Sequence, residues 1–172
     1  QKPADRYENN FKQEIKPWNK GKKILVLPPT NAIANFFNAT DWLDKTIETL
    51  KLNTDREIDV REKPYNPTVA KDHVGATVKV DKPTEHKGNI NWKDYHAMVT
   101  YNSNTLVASL ANGVPVFCDA MCAAAPISEI NFSKIETPRY EDRIALFSSL
   151  AYNNWTLEEM ANGTAWRMLN ES

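Results

Sequence analysis

Two junctions in the sequence place side chains that can hydrogen-bond directly after an apolar run. The first junction, Thr30–Asn31, follows KILVLPP. The second follows YHAMVTY and comprises Asn102, Ser103, Asn104 and Thr105. Residues of these types are favoured helix N-caps, whether or not a ligand binds. They are equally suited to hold a phosphate, because the backbone N–H groups and the dipole at the start of a helix attract an anion. Capping and phosphate binding are both consistent with these two junctions.

Few other residues have the types and spacing that catalysis needs. His73, His86 and His96 are candidates for acid–base chemistry, because histidine titrates near neutral pH. We expect His96 to open a strand, at the end opposite a ligand. The sequence contains neither a Gly-x-x-x-x-Gly-Lys-Ser/Thr loop nor a Gly-x-Gly-x-x-Gly loop, which argues against a P-loop and weakens a dinucleotide-binding hypothesis. The catalytic residue therefore stays unassigned.

The two cysteines, Cys118 and Cys122, have no further cysteine or histidine close to them in sequence. We therefore predict reduced, buried thiols rather than a structural disulfide or a zinc site, and we expect no bound metal.

Apolar runs alternate with helical patterns along the chain, which predicts a parallel sheet covered by helices on both faces. The predicted strands are Ile24–Leu27, Ile58–Arg61, residues 97–101 and VPVFCD, with ATVKVD as a further candidate. The fold class is therefore α/β, a Rossmann-like three-layer domain with a mostly parallel sheet.

Helical patterns follow the first predicted strand and the strand at residues 97–101. They run over Asn31–Leu52, with an internal cap at Asn38 or Thr40, and over TLVASLANG, which Asn112–Gly113 should end. After AAAPIS we predict a helical C-terminus, in which TLEEM has the spacing of a capping box. Residues 1–20 are polar and contain prolines, so we predict an N-terminal arm or linker, followed by a single domain over residues 21–172.

Charge and hydropathy exclude several classes of protein. The 21 basic and 22 acidic residues nearly cancel, which argues against bulk binding of nucleic acid. No apolar run approaches the roughly 20 residues that span a bilayer, and the N-terminal sequence lacks the apolar segment of a signal peptide. We therefore expect no membrane association and a cytoplasmic location.

The stretch DYHAMVTYNSNTLVASLANGVPVF resembles the nucleotide-binding, C-terminal half of GT-B glycosyltransferases and the related glycerophosphotransferases. In those families a strand ends in a Thr-x-x-Ser/Asn loop that is followed by a helix, Gly-x-Pro and a second strand. Residues 102–105, Gly113 and Pro115 match this pattern. VREKP, with Arg61 and Lys63, is similar to an Arg-x-x-Pro strand end of the same half, and KKILVLPPT to its opening strand. The chain from Trp18 onward is also similar to uncharacterised phage-encoded, glycosyltransferase-like proteins.

This resemblance implies a domain that binds a nucleotide or nucleotide-sugar, with phosphate at the carboxyl edge of the sheet. The implied ligand-binding residues are Thr30, Asn31, Arg61, Lys63, Asn102, Ser103, Asn104 and Thr105. No cofactor is implied other than a nucleotide-sugar donor. A second Rossmann-like half or a protein partner would complete the cleft of a transferase, and a phage-encoded relative would act in the host cytoplasm.

The sequence departs from the family pattern at two positions. Ala108 stands where these families usually have a glutamate that holds the donor ribose, and Lys63 replaces a common histidine. Two alternatives therefore stay open beside the transferase. One is a non-catalytic interaction module that kept the fold and lost the chemistry, and the other is a phage protein that captures a nucleotide signal.

Overall fold

A computed structural model of the chain describes residues 5–11, 14–62, 78–81 and 89–170. The contacts within the chain group it into two compact units. One unit combines Gln1–Glu14 with Asp142–Ser172, and the other is Ile15–Glu141. The predicted boundary between an arm and a domain at residue 20 stays a prediction.

The larger unit is built around a five-stranded sheet with the order β3-β2-β1-β4-β5. Its strands are β1 Lys23–Leu27, β2 Ile58–Arg61, β3 Val78–Asp81, β4 Tyr95–Thr100 and β5 Val116–Cys118. All the strand pairs are parallel. The prediction of an α/β, Rossmann-like fold with a parallel sheet and a helical C-terminus is confirmed.

The central strands lack alternation between apolar and polar residues because both of their faces are covered. In β1, Ile24, Leu25 and Val26 are fully buried, and every residue of β4 is buried. The run Ile24–Leu27 therefore predicted a parallel strand correctly. The second strand was predicted at its observed position, and the candidate strand ATVKVD contains β3.

Among the described residues, three α-helices connect strands of this unit: α1 Asn31–Phe36, α2 Trp42–Asn53 and α3 Thr105–Ala111. From β1 the chain passes through α1 and α2 to β2, whereas from β4 it passes through α3 to β5 on the other side. Since crossovers between parallel strands are right-handed, the two connections place their helices on opposite faces of the sheet. Leu43, Ile47 and Leu50 of α2 pack into the buried cluster formed with β1, β2 and β4.

The break between α1 and α2 differs from the predicted one. Asn38 adopts a left-handed conformation with φ of 52° and interrupts the helix, and α2 begins later, after Asp41. Neither Asn38 nor Thr40 is the N-cap. At the other predicted stop, Gly113 follows α3 with φ of 78°, as a C-terminal glycine should.

The segment between residues 128 and 143 is largely irregular, so the helical C-terminus predicted after AAAPIS begins later than expected, at Ile144. It contains a short 3₁₀ turn, Phe132–Lys134, and then the fully buried Ile135. Regular helix resumes with α4 Ile144–Ala151, α5 Leu157–Ala161 and α6 Thr164–Asn170. Among the described residues, no helix has both the length and the apolar character that crossing a bilayer requires.

The smaller unit packs a π-helical turn, Tyr7–Phe11, with α4. The rings of Tyr7 and Phe147 stack with their centroids 5.5 Å apart. The capping box predicted from TLEEM is confirmed, because Thr156 and Glu159 each accept a bond from the other's backbone N–H. The first 20 residues showed no clear period in the sequence, yet they contribute this ordered turn.

Candidate functional site at the carboxyl edge of the sheet

The carboxyl ends of β1 and β4 form the point at which the strand order reverses. The two strands are neighbours, and Leu27 pairs with Thr100 at their ends. The chain leaves them toward opposite sides of the sheet, which opens a crevice where α/β proteins commonly bind ligands. Both polar junctions therefore begin side by side, as the sequence hypothesis requires.

Thr100 joins the two junctions directly. Its hydroxyl donates a hydrogen bond to the Leu27 carbonyl, at 2.9 Å, and accepts one from the Ser103 backbone N–H, at 3.2 Å. Thr100 is fully buried. This side chain ties the end of β1 to the loop that follows β4, and nothing in the sequence pattern identified its role.

In the first junction, Thr30 is the N-cap of α1. Its hydroxyl oxygen accepts from the Ile33 N–H at 3.4 Å, and its carbonyl accepts from the Ala34 N–H at 2.8 Å. Asn31 begins the helix and its side chain is exposed. The capping interpretation of this junction is therefore correct for Thr30, while Asn31 is an exposed residue in the first turn of α1.

In the second junction, the Ser103 hydroxyl forms its hydrogen bonds with another residue of the chain, Thr105. It accepts from the Thr105 N–H at 3.3 Å and donates to the Thr105 hydroxyl oxygen at 3.1 Å, and Ser103 is only 5% exposed. The Leu106 N–H donates to the Ser103 carbonyl at 3.1 Å. Ser103 thus organises the start of α3, and these backbone donors already have partners.

The exposed polar groups of the second junction are Asn102 and Asn104, with Thr105 half-buried. Asn104 occupies the N-cap position of α3 but its side chain makes no capping bond. Both amide side chains are consequently presented to solvent beside the crevice.

Arg61 brings positive charge to the same edge. It ends β2, the neighbour of β1 on the side away from β4, and one of its terminal nitrogens donates to the Asn89 carbonyl at 3.4 Å. Seven of the eight predicted ligand-binding residues therefore belong to the carboxyl ends of three adjacent strands. The eighth, Lys63, lies outside the described residues.

A row of aromatic rings adjoins the crevice and was not recognised as a site feature in the sequence. Tyr101 directly follows β4, and its ring centroid lies 6.0 Å from those of both Phe37 and Trp42. Trp42 lies 6.0 Å from Phe132, and these two rings help line a surface cavity of about 310 Å³. In the sequence, the feature that could have indicated this row is the position of Tyr101 between an apolar strand and the polar residues 102–105.

The same edge also carries an acidic group. Asp119 follows β5, and its carboxylate accepts from the Met121 N–H at 3.0 Å. Burial raises the pKa of the Tyr101 hydroxyl, and the Asp119 carboxylate adds to the shift, so Tyr101 stays protonated and able to donate.

The histidine candidates contribute little to this site. His96 lies near the amino end of β4, as predicted, where its Nε2–H donates to the Ile135 carbonyl at 2.9 Å. Burial lowers the pKa of His96, which favours the neutral ring. His73 and His86 lie outside the described residues. In the part of the chain that the structure describes, no three His, Cys, Asp or Glu side chains form a group that could hold a metal ion.

Comparison with known proteins supports the fold. No protein-family model matches the sequence, and a search of curated proteins gives no significant match. Among solved structures, the chain is similar to KpsC of Thermosulfurimonas dismutans, a beta Kdo 2,4 transferase, with a TM-score of 0.50 and 19% sequence identity. The similarity covers 78% of this chain but 47% of the transferase, so the chain spans about half the length of that protein. The chain therefore shares its α/β fold with about half of that transferase.

Proposed function

We propose that this chain is the donor-binding domain of a glycosyltransferase and that it binds a nucleotide-sugar at the crevice between β1 and β4. The observation that carries the proposal is the convergence of both polar junctions at this reversal of strand order. It is joined by Arg61 on the next strand, and a phosphate between these groups would meet donors from two loops and a cation.

The observed hydrogen bonds divide the predicted residues into two roles. Asn102 and Asn104 are exposed, so their amide N–H groups can donate to phosphate oxygens, and Asn31 is exposed in the first turn of α1. The hydroxyl of Thr105 accepts from Ser103, which leaves its own hydrogen to donate to a ligand. Ser103 itself acts as a positioning residue.

Like the Thr105 hydroxyl, the Thr30 hydroxyl accepts a hydrogen bond within the chain and keeps its own hydrogen for a ligand. Its hydroxyl oxygen accepts from the Ile33 N–H, and its hydroxyl hydrogen can point toward the crevice. Arg61 and Lys63 would supply positive charge. In a transfer reaction these donors and cations would stabilise the departing phosphate group as its negative charge grows.

The aromatic row supports a ligand larger than a free phosphate. Tyr101 stands directly beside Asn102, so a ligand whose phosphate contacts the asparagines would place its base or sugar near this ring. Planar faces of this kind stack on bases and on the apolar faces of sugars. The glycosyltransferase-like fold points in the same direction, and the name of the similar protein makes a nucleotide-activated Kdo one donor worth testing.

Calorimetric titration with a panel of nucleotides and nucleotide-sugars tests this proposal. We expect binding by the wild-type chain and a loss of affinity of at least about tenfold in the double variant Asn102→Ala, Asn104→Ala, since each lost bond to a charged oxygen is worth about 1.5–3 kcal/mol.

The matched control removes two asparagines from the opposite edge of the sheet. Asn53 ends α2 and Asn91 precedes β4. The double variant Asn53→Ala, Asn91→Ala should bind like the wild type. Equal losses in both double variants, or an unchanged affinity in the first, would contradict the assignment of the crevice.

A second candidate function is the interaction module without chemistry. Two observations favour it: Ala108 in place of the ribose-holding glutamate, and the internal partners of the Thr105 and Leu106 N–H groups. This candidate predicts that no member of the panel binds and that the chain instead forms a stoichiometric complex with a protein.

A further inference from the structure

The cavity beside α2 is a concave site separate from the crevice between β1 and β4. It is lined by the loop that precedes α2, by the first two turns of that helix and by Phe132. Its volume of about 310 Å³ lies at the lower end of the roughly 300–1,000 Å³ that is typical of ligand pockets. None of the described residues assigned to the donor crevice lines this cavity, so it can hold a ligand of its own.

Two aromatic rings form the apolar part of the cavity. Trp42 and Phe132 are half-buried, and both pack against the buried cluster, which holds them in place. Their ring centroids lie 6.0 Å apart and their planes are nearly perpendicular, at 86°. A flat ring that the core holds in place is a suitable surface for the apolar C–H face of a sugar.

A carboxylate, an ammonium group and a buried hydroxyl supply the polar part of the cavity. The Asp41 carboxylate makes no capping bond with α2 and instead pairs with the Lys45 ammonium group at 2.5 Å. Both of these side chains are more than half exposed, and an exposed ion pair adds little stability, so each group can exchange its partner for a ligand. Thr46 is only 2% exposed, and its hydroxyl has no hydrogen-bond partner among the described residues.

This set of groups fits a polyhydroxylated ligand better than an ion. Asp41 and Lys45 carry opposite charges side by side, so the cavity favours neither a free anion nor a free cation. A sugar hydroxyl, in contrast, can donate to the carboxylate and accept from the ammonium group. Beside two aromatic rings, such groups indicate a saccharide.

The aromatic row connects the cavity to the donor crevice. Tyr101 directly precedes Asn102, and its ring centroid lies 6.0 Å from that of Trp42. The Trp42 centroid lies 6.0 Å from that of Phe132. Two steps from ring to ring therefore lead from the crevice to the cavity, a span that a short oligosaccharide can cover.

We propose that the cavity beside α2 is a saccharide-binding site that holds the acceptor oligosaccharide, with its chain extended along the aromatic row toward the crevice. The acceptor role rests on the proposed function. The binding of a saccharide does not, because the described groups that form the cavity lie outside the donor crevice. Trp42 and Phe132 contact the sugar rings, and Asp41, Lys45 and Thr46 bond the hydroxyls.

A screen of the full chain on an array of neutral and acidic oligosaccharides, without nucleotide, tests the proposal. The oligosaccharide that binds most tightly is then titrated by calorimetry. We expect Lys45→Ala to weaken its binding by at least about tenfold, because the variant removes a hydrogen bond from a charged group. The matched control Lys51→Ala removes an exposed lysine from the last turn of the same helix and should bind the oligosaccharide like the wild type.

A second variant tests the ring surface. Phe132→Leu keeps an apolar side chain against the core but removes the flat face, so it should also weaken binding of the oligosaccharide. Thermal unfolding shows whether this variant stays folded, and Lys45→Ala, at an exposed position, keeps the test valid if it does not.

Separate titrations distinguish this proposal from the proposed function. An oligosaccharide that binds while no nucleotide does would contradict the donor site and support the saccharide site. An array on which no oligosaccharide binds, or equal affinities in Lys45→Ala and Lys51→Ala, would overturn the present proposal. Loss of the oligosaccharide in the double variant Asn102→Ala, Asn104→Ala would also overturn it, because the ligand would then lie in the crevice.

Discussion

At the scale of single residues, Gly113 is a position where the backbone leaves no room for a side chain. Its φ is 78°, and a Cβ atom added to it would lie 2.0 Å from the Pro17 carbonyl oxygen. The Asn19 N–H donates to the Gly113 carbonyl, and the Lys16 N–H to the Ala111 carbonyl. A residue without a side chain therefore lets the segment that leads into β1 cross the end of α3 in close contact.

We predict that Gly113→Ala strongly lowers the free energy of unfolding. Gly163 offers a matched control, since it has the same φ of 78° but nothing within 4 Å of its added Cβ. Gly163→Ala should therefore report the conformational strain alone, about 1–2 kcal/mol.

Urea unfolding of both variants measures the difference. We expect Gly113→Ala to lose at least about 2 kcal/mol more than Gly163→Ala, because the segment that contains Pro17 must also move. Similar losses in the two variants would show that this close approach is unimportant for stability.

At the scale of the element, α5 depends on a single carboxylate. Glu159 accepts from the Thr156 N–H at 2.8 Å and also forms an ion pair with Arg6. Arg6 in turn lies over the Trp155 ring, 4.5 Å from its centroid, and donates to the Asn154 carbonyl at 2.7 Å. One charged group therefore both starts a short helix and connects it to the N-terminal turn.

We predict an acid-sensitive stability that originates at Glu159. Hydrogen bonding to the Arg6 guanidinium, reinforced by the Thr156 N–H, lowers the pKa of Glu159 to about 2. Since an unfolded glutamate titrates near 4.3, this stabilisation is complete above that pH and is lost as the pH falls toward about 2.

Unfolding curves recorded over this pH range would test the prediction. Glu159→Gln should remove this part of the pH dependence, because the amide keeps the shape and can still accept from Thr156 but does not titrate. The neighbouring exposed Glu158, changed to glutamine, should leave the pH dependence as in the wild type. A Glu159→Gln profile that parallels the wild type would contradict the prediction.

Elements whose signal is local were predictable from the sequence. The capping box needs only the spacing of Thr156 and Glu159, and a strand buried on both faces needs only a continuous apolar run. Ile135 shows the limit of such reasoning. It is fully buried in an irregular segment because it packs against a sheet distant in sequence, and no local period marks that position.

At the scale of the whole molecule, the place of the candidate site was more predictable than its chemistry. Alternating strands and helices imply that the ends of parallel strands share one edge, so the neighbourhood of Thr30 and Asn102 followed from chain order. The hydrogen bonding of the Ser103 hydroxyl within the chain could not be predicted from chain order. It depends on the contact with Thr105 and on the bond from the Ser103 N–H to the Thr100 hydroxyl, which is itself fixed across the sheet by the Leu27 carbonyl.

We predict that residues 15–141 fold without the rest of the chain. This unit contains all five strands and the whole buried cluster, from Ile24 to Ile135. The isolated fragment should show the circular dichroism of an α/β protein and a cooperative urea transition.

A shorter fragment, residues 15–130, serves as the control. It lacks Phe132 and Ile135, which complete the packing around α2 and β4. It should lose the cooperative transition or unfold at a clearly lower urea concentration. Failure of the longer fragment to fold would show that the two units depend on each other for stability.

The hydroxyl of Thr100 bears on which residues near the proposed site can be substituted. The hydroxyl bonds both the Leu27 carbonyl and the Ser103 N–H, so it links the carboxyl ends of β1 and β4 beneath the proposed ligand site. We therefore expect that loop residues after Thr100, such as Asn102 and Asn104, can be substituted without weakening the link between the two strands. A library that randomises Asn102 and Asn104 while keeping Thr100 would sample new ligand specificities without changing the sheet.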